Sequence, residues 1–253
     1  MRNLVIQTDF GTGSLSVSAM HGVCAVVCPD LPVSDGNNAV HQFDVLDASD
    51  SLKYLLPYWP EGTVFVSVVD PGVGSARRSI AVKTNDGQYI ITPDNGTLTH
   101  VIRVEGIAAV RQIDERSNRL PRSGESYTFH GRDIYAFTGA RLAAGIIDFE
   151  DVGPELPADS LVSLPIVEPY LEGNAVCGTI DVLDVRFGSL WTNIPRELFL
   201  QTCIRYGDRV SITIENGVRC IYRNIILFGK SFADVYVGEA LTYINSLDCV
   251  AVA

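Results

Sequence analysis

The residues best placed to do chemistry gather around one strand-like run. Val64-Phe65-Val66-Ser67-Val68-Val69 leads straight into Asp70, and Pro71-Gly72-Val73-Gly74-Ser75-Ala76 then turns the chain towards Arg77 and Arg78. In open α/β sheets, ligands bind in the crevice beyond the carboxyl ends of the strands. Asp70 would stand at that edge, with Arg77 or Arg78 able to fold back over it. A carboxylate and a guanidinium aimed at one crevice suit work on a polar ligand. The plainer alternative is a turn-closing ion pair.

Three further segments carry candidate groups. Thr8-Asp9-Phe10-Gly11 puts a second carboxylate at a strand end. A carboxylate there can accept from two ribose hydroxyls at once, or serve as a helix N-cap or Asx-turn. Gly11-Thr12-Gly13-Ser14 does not complete a dinucleotide fingerprint, so NAD binding is not supported. Thr128-Phe129-His130-Gly131-Arg132-Asp133 places His130 just before a helix, either as a general base or as a structural hydrogen-bonder. A metal held by Asp70 and His130 lacks any further ligand-rich spacing, so no metal is expected. Asp184-Val185-Arg186-Phe187-Gly188-Ser189-Leu190-Trp191-Thr192-Asn193-Ile194-Pro195 reads as one loop that combines an acid, two aromatics and small polar residues. The aromatics offer faces for a purine and the acid a partner for an ammonium. A β-domain loop with a packed Trp fits the same residues.

The elements that must position these groups follow from periodicity and breakers. Leu4–Thr8 and Val64–Val69 read as buried strands, and Ser18–Cys28 and Ser49–Leu56 as helices stopped by Pro29 and Pro57. Ile80–Thr84 and Gln88–Thr92 alternate around Asn85-Asp86-Gly87, a hairpin signal. Asp133–Ala144 has helical spacing. Alternating strands and helices imply an α/β N-terminal domain with a Rossmann-like layered sheet over residues 1–163. Ser34–Val40 is turn-like where such a domain wants its second strand. Residues 164–173 read as a proline-bounded linker. Residues 174–253 carry short strands, among them Cys177–Val182, Arg209–Ile214, Val218–Tyr222 and Leu241–Asn245, as in a small all-β barrel.

Composition sets the class. The net charge of −11 over 253 residues argues against a nucleic-acid surface, which needs clustered Lys and Arg. The six cysteines form no CxxC pair; Cys24 and Cys28, one helical turn apart in an apolar run, read as buried thiols. No run is long and apolar enough to span a bilayer, and the N-terminal residues lack the apolar core of a signal peptide, so no membrane association and a cytoplasmic location are expected.

Taken together, Thr8-Asp9-Phe10-Gly11, Val69-Asp70-Pro71-Gly72-Val73-Gly74, Pro93-Asp94-Asn95-Gly96, Phe129-His130-Gly131-Arg132-Asp133, Phe187-Gly188 with Trp191-Thr192-Asn193-Ile194, and Tyr243-Ile244-Asn245-Ser246 resemble the S-adenosylmethionine hydroxide adenosyltransferase family. These are the hydrolytic relatives of the fluorinase and chlorinase. The motifs stand in the family's order and cover nearly the whole chain. The resemblance implies an α/β domain followed by a β-barrel. It also implies a homotrimer with each site between one subunit's N-domain and its neighbour's C-domain. The implied reaction splits S-adenosylmethionine into adenosine and methionine by attack of water or hydroxide at C5′, with no cofactor or metal.

By the same resemblance, Asp70, Arg77 and His130 handle the water. Asp9 holds the ribose hydroxyls and Phe43 packs on the ligand. Asp184 takes the methionine ammonium, Phe187 and Trp191 wall the ligand, and Ser246 helps hold the methionine carboxylate. Ser189 stands where relatives use an asparagine towards adenine, and His21 where a lysine is expected. The segment Asp35–Val40 replaces a strand ending in a Thr-His pair, and Leu247 replaces a fluorinase arginine. The halogenating relatives carry tyrosine in place of Asp70, so the aspartate is the hydrolytic pattern. A 5′-halogenase and a binding protein that senses S-adenosylmethionine or adenosine with little turnover are the competing readings.

Overall fold

The computed structural model describes residues 1–124 and 126–253, and the chain divides into two units, Met1–Leu164 and Pro165–Ala253. In the first, strands β1 (Leu4–Thr8), β2 (Val33–Asp35), β3 (Val64–Val68), β4 (Ser79–Thr84), β5 (Tyr89–Pro93), β6 (Ile107–Gln112) and β7 (Glu155–Leu156) form one sheet in the order β2-β1-β3-β5-β4-β6-β7. β2, β1, β3 and β5 run parallel. β4 is antiparallel to both β5 and β6, and β7 is antiparallel to β6. The sheet is therefore mixed.

Residues of β1, β3 and β5 are buried on both faces, which explains their unbroken apolar runs. Leu4, Ile6, Val64, Val66 and Ile91 point into one core with Met20, Val23 and Cys24 of α1 (Leu15–Val27) and Ala140 and Leu142 of α4 (Phe137–Ala144). Val5, Phe65 and Ile90 point to the other face, with Leu52 of α2 (Val45–Leu55) and Val101 of α3 (Thr99–Val104). The period of two along each strand thus builds a helix layer on either side of the sheet.

Several expectations shift. β2 exists where a turn was read: it is three residues long and none of them is fully buried, so no apolar signal marks it. The helix expected from Asp133 begins as a π-helical turn over Gly131–Ala136 before becoming regular at Phe137. Cys24 is buried but Cys28 is only half-buried, and all six cysteines are free thiols. Among the described residues, no helix is long and apolar enough to cross a membrane.

In the second unit, β8 (Tyr170–Glu172) and β9 (Ala175–Cys177) pair as a small hairpin about Gly173-Asn174, so the stretch read as a linker ends in a strand. β10 (Ile180–Asp184), β11 (Ser189–Pro195), β12 (Arg209–Glu215), β13 (Cys220–Phe228), β14 (Leu241–Ile244) and β15 (Cys249–Val252) form a sheet in the order β10-β11-β15-β14-β13-β12. No ladder joins β10 to β12 among the described residues, so the expected barrel is a curled half-barrel. Ser189–Pro195, read as loop, is a strand: a bulge between Trp191 and Pro195 breaks its alternation.

Three predictions follow from this packing. A Cβ added at Gly139 would lie 2.5 Å from Val66 Cγ2, so α4 sits on β3 at a distance only glycine allows. Gly139→Ala should lower unfolding free energy in urea by about 1–3 kcal/mol. Gly22→Ala in α1, where a Cβ meets nothing within 4 Å, should raise it by about 0.5–1 kcal/mol. Burial pushes the Cys24 thiol up to about 12. An alkylating reagent at neutral pH should label the exposed Cys203 and Cys220 in the native protein and reach Cys24 only after denaturation.

Candidate active site

The topology explains why Asp70 and Arg77 meet. Chain leaves β3 at the carboxyl edge and enters β4 at that same edge, but β5 lies between the two strands. The connection therefore bridges the end of β5. It is pinned there by Asn95 Nδ2 donating to Val69 O (2.8 Å) and by the Asp94 N–H donating to Arg78 O (2.9 Å). Asp70 and Arg77 stand on either side of this bridge. The two arginines then separate: Arg78 turns to Asp94 and Ser160, and Arg77 takes Asp70.

Arg77 Nε donates to Asp70 Oδ1 (2.9 Å) and Oδ2 (3.0 Å), and Nη2 donates to Oδ2 (2.5 Å). The side chains are only 9% and 6% exposed, so this is a nearly dry, two-pronged pair. Burial works against the Arg77 charge, but the Asp70 hydrogen bond and the carboxylates around it outweigh that, and its pKa lies above the ordinary arginine value.

His130 comes from the other side of the sheet edge. Gly131 lets it approach: a Cβ there would lie 3.2 Å from Val68 Cγ1 and 3.4 Å from the Phe10 ring. Arg77 Nη2 lies 2.8 Å from His130 Nδ1. A guanidinium has no acceptor, so Nδ1 must offer its lone pair and the ring proton must sit on Nε2. Nε2 is buried and has no hydrogen-bond partner among the described residues. Burial lowers the His130 pKa, with Arg77 and Arg119 pushing the same way and Glu115 and Asp70 opposing. The imidazole is thus neutral at pH 7, with an N–H free to donate. A metal shared by Asp70 and His130 would have to displace the guanidinium already between them.

Asp9 ends the neighbouring strand at the same edge, since Thr8 pairs in register with Val68. Its Oδ2 accepts from the Phe43 N–H (2.9 Å), and the N-cap of α1 is Ser14, so Asp9 is not the helix cap. Phe43 is 62% exposed and has φ 66°, a left-handed conformation that is rare for an aromatic residue. Arg132 and Asp133 pair with each other, Nε to Oδ1 at 2.6 Å.

The other candidates lie in the second unit. Asp184 and Ser189 are paired across the β10–β11 turn, with Phe187 75% exposed at its tip. Phe187 and Phe232 line a cavity of about 430 Å³ with Tyr236 and Leu241; Phe232 had no distinguishing sequence signal. Ser189 is buried, and its hydroxyl accepts from Tyr243 OH (3.2 Å). Trp191 is packed against the cluster of Leu241, Tyr243 and Ala251. Ser246 is exposed in the β14–β15 turn. That turn adjoins the Pro195 end of β11, whereas Asp184 and Phe187 adjoin the Ser189 end. Six residue steps of about 3.3 Å separate the two ends. This unit therefore groups Asp184, Phe187 and Ser189, and leaves Ser246 at the far end of the sheet.

The family model for the S-adenosylmethionine hydroxide adenosyltransferase N-terminal domain matches residues 4–153, and that for the C-terminal domain matches residues 178–253. The chain belongs to this family. It is 36% identical to a protein of Salinispora tropica named (R)-S-adenosyl-L-methionine hydrolase, over 97% of this chain and 87% of that one. It is 29% identical to a fluorinase of an Actinoplanes species, over 99% and 90%. The crystal structure of an uncharacterised conserved protein from Thermotoga maritima is similar with a TM-score of 0.89, at 34% identity, over 99% of this chain and 91% of that one.

His21 Nε2 contacts Asp35 Oδ1 (2.9 Å), which also accepts from Asn38 Nδ2 (2.7 Å); Asn38 Oδ1 in turn accepts from Thr8 Oγ1 (3.0 Å). His21 and the Asp35–Val40 segment are thereby tied to the last residue of β1, next to Asp9.

Removing one member of the buried fork strands the other. Arg77→Met should cost about 3–5 kcal/mol of unfolding free energy in urea titrations, because Asp70 is left buried without its partner. The double variant Asp70→Asn/Arg77→Met should lose less than Arg77→Met alone.

Proposed function

We infer that the protein hydrolyses S-adenosyl-L-methionine to adenosine and L-methionine, with Asp70, Arg77 and His130 handling the water. The observation that carries this reading is the buried Asp70–Arg77–His130 cluster at the carboxyl edge of the sheet, beside Asp9. It combines a carboxylate, a fixed cation and an imidazole N–H in one place.

The reaction asks little of a base. The sulfonium carbon is already activated and methionine leaves as a neutral thioether, so neither metal nor cofactor is needed. Water has a pKa of about 15.7, far too high for a carboxylate to deprotonate it beforehand. As the C5′–O bond forms, however, the attacking water becomes an oxonium, and any carboxylate can take its proton. Asp70 Oδ1 accepts one hydrogen bond from Arg77 and keeps acceptor capacity for that proton. His130 Nε2–H donates to the water oxygen and holds it in line with the C5′–S bond. This replaces the general-base role first considered for His130, since Nδ1 is committed to Arg77. Asp9 takes the ribose hydroxyls through the oxygen that Phe43 leaves free, and Phe43 packs on the nucleoside. Asp184 takes the methionine ammonium, with Phe187 and Trp191 as walls. Ser189 serves the adenine end only indirectly, through Tyr243. Ser246 lies at the opposite end of this sheet from Asp184, and the two charged groups of methionine share one carbon, so Ser246 has no part in this binding mode.

A halogenase is the second reading, because fluorinases are among the relatives. Asp70 argues against it: a buried carboxylate repels a halide ion but accepts from water. The reading also includes assembly as a homotrimer whose sites join one subunit's N-terminal cluster to its neighbour's C-terminal cluster, and a cytoplasmic setting consistent with free thiols.

Incubation with S-adenosylmethionine, with and without chloride or fluoride, should give adenosine and methionine in equal amounts under both conditions. A 5′-haloadenosine product would overturn the hydrolytic assignment, and saturable binding without product would favour a sensor. Asp70→Asn should bind S-adenosylmethionine and turn it over about a hundredfold more slowly or worse. Mixing inactive Asp70→Asn with inactive Asp184→Ala should restore activity if sites are shared between subunits; a mixture as inactive as its parts would count against the shared site.

A further inference from the structure

Behind Arg77 lies a second set of side chains that the reaction as described does not use. Arg77 Nη1 donates to Ser79 Oγ (3.0 Å), the first residue of β4 and only 2% exposed. Ser79 Oγ lies 2.7 Å from Glu115 Oε1 and 3.2 Å from Tyr135 OH. Donor counting orders this set. A hydroxyl has one proton and two lone pairs. Ser79 spends its proton on Glu115 and one lone pair on Arg77, so Tyr135 must donate to the other. Tyr135 is fully buried, and burial drives its pKa far above the ordinary phenol value, which keeps that proton in place. Glu115 is different: it lines a cavity of about 470 Å³ with Ser79, Gln112 and Arg116, and its side chain is 34% exposed.

We propose that Ser79, Glu115 and Tyr135 are positioning residues that lock the Arg77 guanidinium in plane and, through it, hold His130 as the Nε2–H tautomer. The proposal rests on the hydrolytic reading for its kinetic part. The fork to Asp70 uses the Nε and Nη2 edge, and Nη2 also serves His130. Only Nη1 fixes the opposite corner. Without Ser79 the guanidinium is held along one edge, the hydrogen bond to Nδ1 loosens, and both imidazole tautomers become accessible. Glu115 adds an electrostatic part. The charged and titratable groups around His130 are Arg77, Arg119, Asp70 and Glu115, with the Tyr127 and Tyr135 rings edge-on at 6.4 and 6.5 Å. Glu115 and Asp70 favour the imidazolium; the arginines and burial oppose it.

The test pairs kinetics with nitrogen-15 NMR of the histidine side chains in the full chain. In wild type the His130 ring should show the Nε2–H tautomer without substrate. Ser79→Ala should give a tautomer mixture and lower kcat by about tenfold, with KM for S-adenosylmethionine changed less than about twofold. Glu115→Gln, which can still accept from Ser79, should keep the tautomer but move the His130 titration, and the acid limb of kcat, to lower pH. Tyr135→Phe should shift the tautomer balance in the direction of Ser79→Ala. A single unshifted tautomer and titration in Ser79→Ala and Glu115→Gln, with thermal melts near wild type, would overturn the proposal. So would losses of kcat that only track lost folded protein. If wild type makes no adenosine, the hydrolytic reading fails, and the NMR outcome still decides this one.

Discussion

Arg77 is the constraint on which the candidate site depends. Its guanidinium reaches Asp70, His130 and Ser79, and each contact sets something different. Against Asp70 it balances a charge that the nearly dry edge of the sheet would otherwise not tolerate. Against His130 it decides which ring nitrogen carries the proton. Against Ser79 it is tied to the strand that begins two residues later. A lysine could supply the charge, but a single ammonium lacks the planar fork that makes all three contacts in one orientation. The chemistry at this edge is therefore less a matter of three separate residues than of one cation with three acceptors.

The two units contribute differently. The first holds the candidate cluster at the end of central strands whose side chains are buried on both faces. The second presents exposed aromatic and acidic groups at the β10–β11 turn of an open, curled sheet. The pairing of His21 with Asp35, and of Asp35 with Asn38, ties α1 and the segment after β2 to the end of β1.

Much of this was legible in the chain. Strong apolar runs marked β1 and β3, and Asn85-Asp86-Gly87 marked the hairpin of β4 and β5, because buried parallel strands and tight turns leave local signatures. Asp70 after a strand and His130 before a helix stood out as candidates, but the chain left Arg77 and Arg78 equally placed, and only the packing shows which one takes Asp70. What stayed hidden has physical reasons. β2 is too short and too exposed to show a period, and the π-helical turn has the same composition as an ordinary helix start. That Ser189 is buried and accepts from Tyr243, far away in sequence, was not legible either. The set of Ser79, Glu115 and Tyr135 could not be read at all, since their meeting depends on how β4, the segment after β6 and the π-helical turn pack together.

The placement of β5 between β3 and β4 has a kinetic meaning. β4 and β5 are joined by a short turn and can pair early as a local hairpin. Arg77 then sits at the mouth of that hairpin, still apart from Asp70. The two come together only when the hairpin docks with its β5 side against β3, a step between segments more distant in the chain. Until then, a carboxylate and a guanidinium remain separately hydrated, and His130 has nothing to fix its proton. The geometry of the cluster therefore depends on the β3–β5 ladder, which sets where the mouth of the hairpin meets the end of β3.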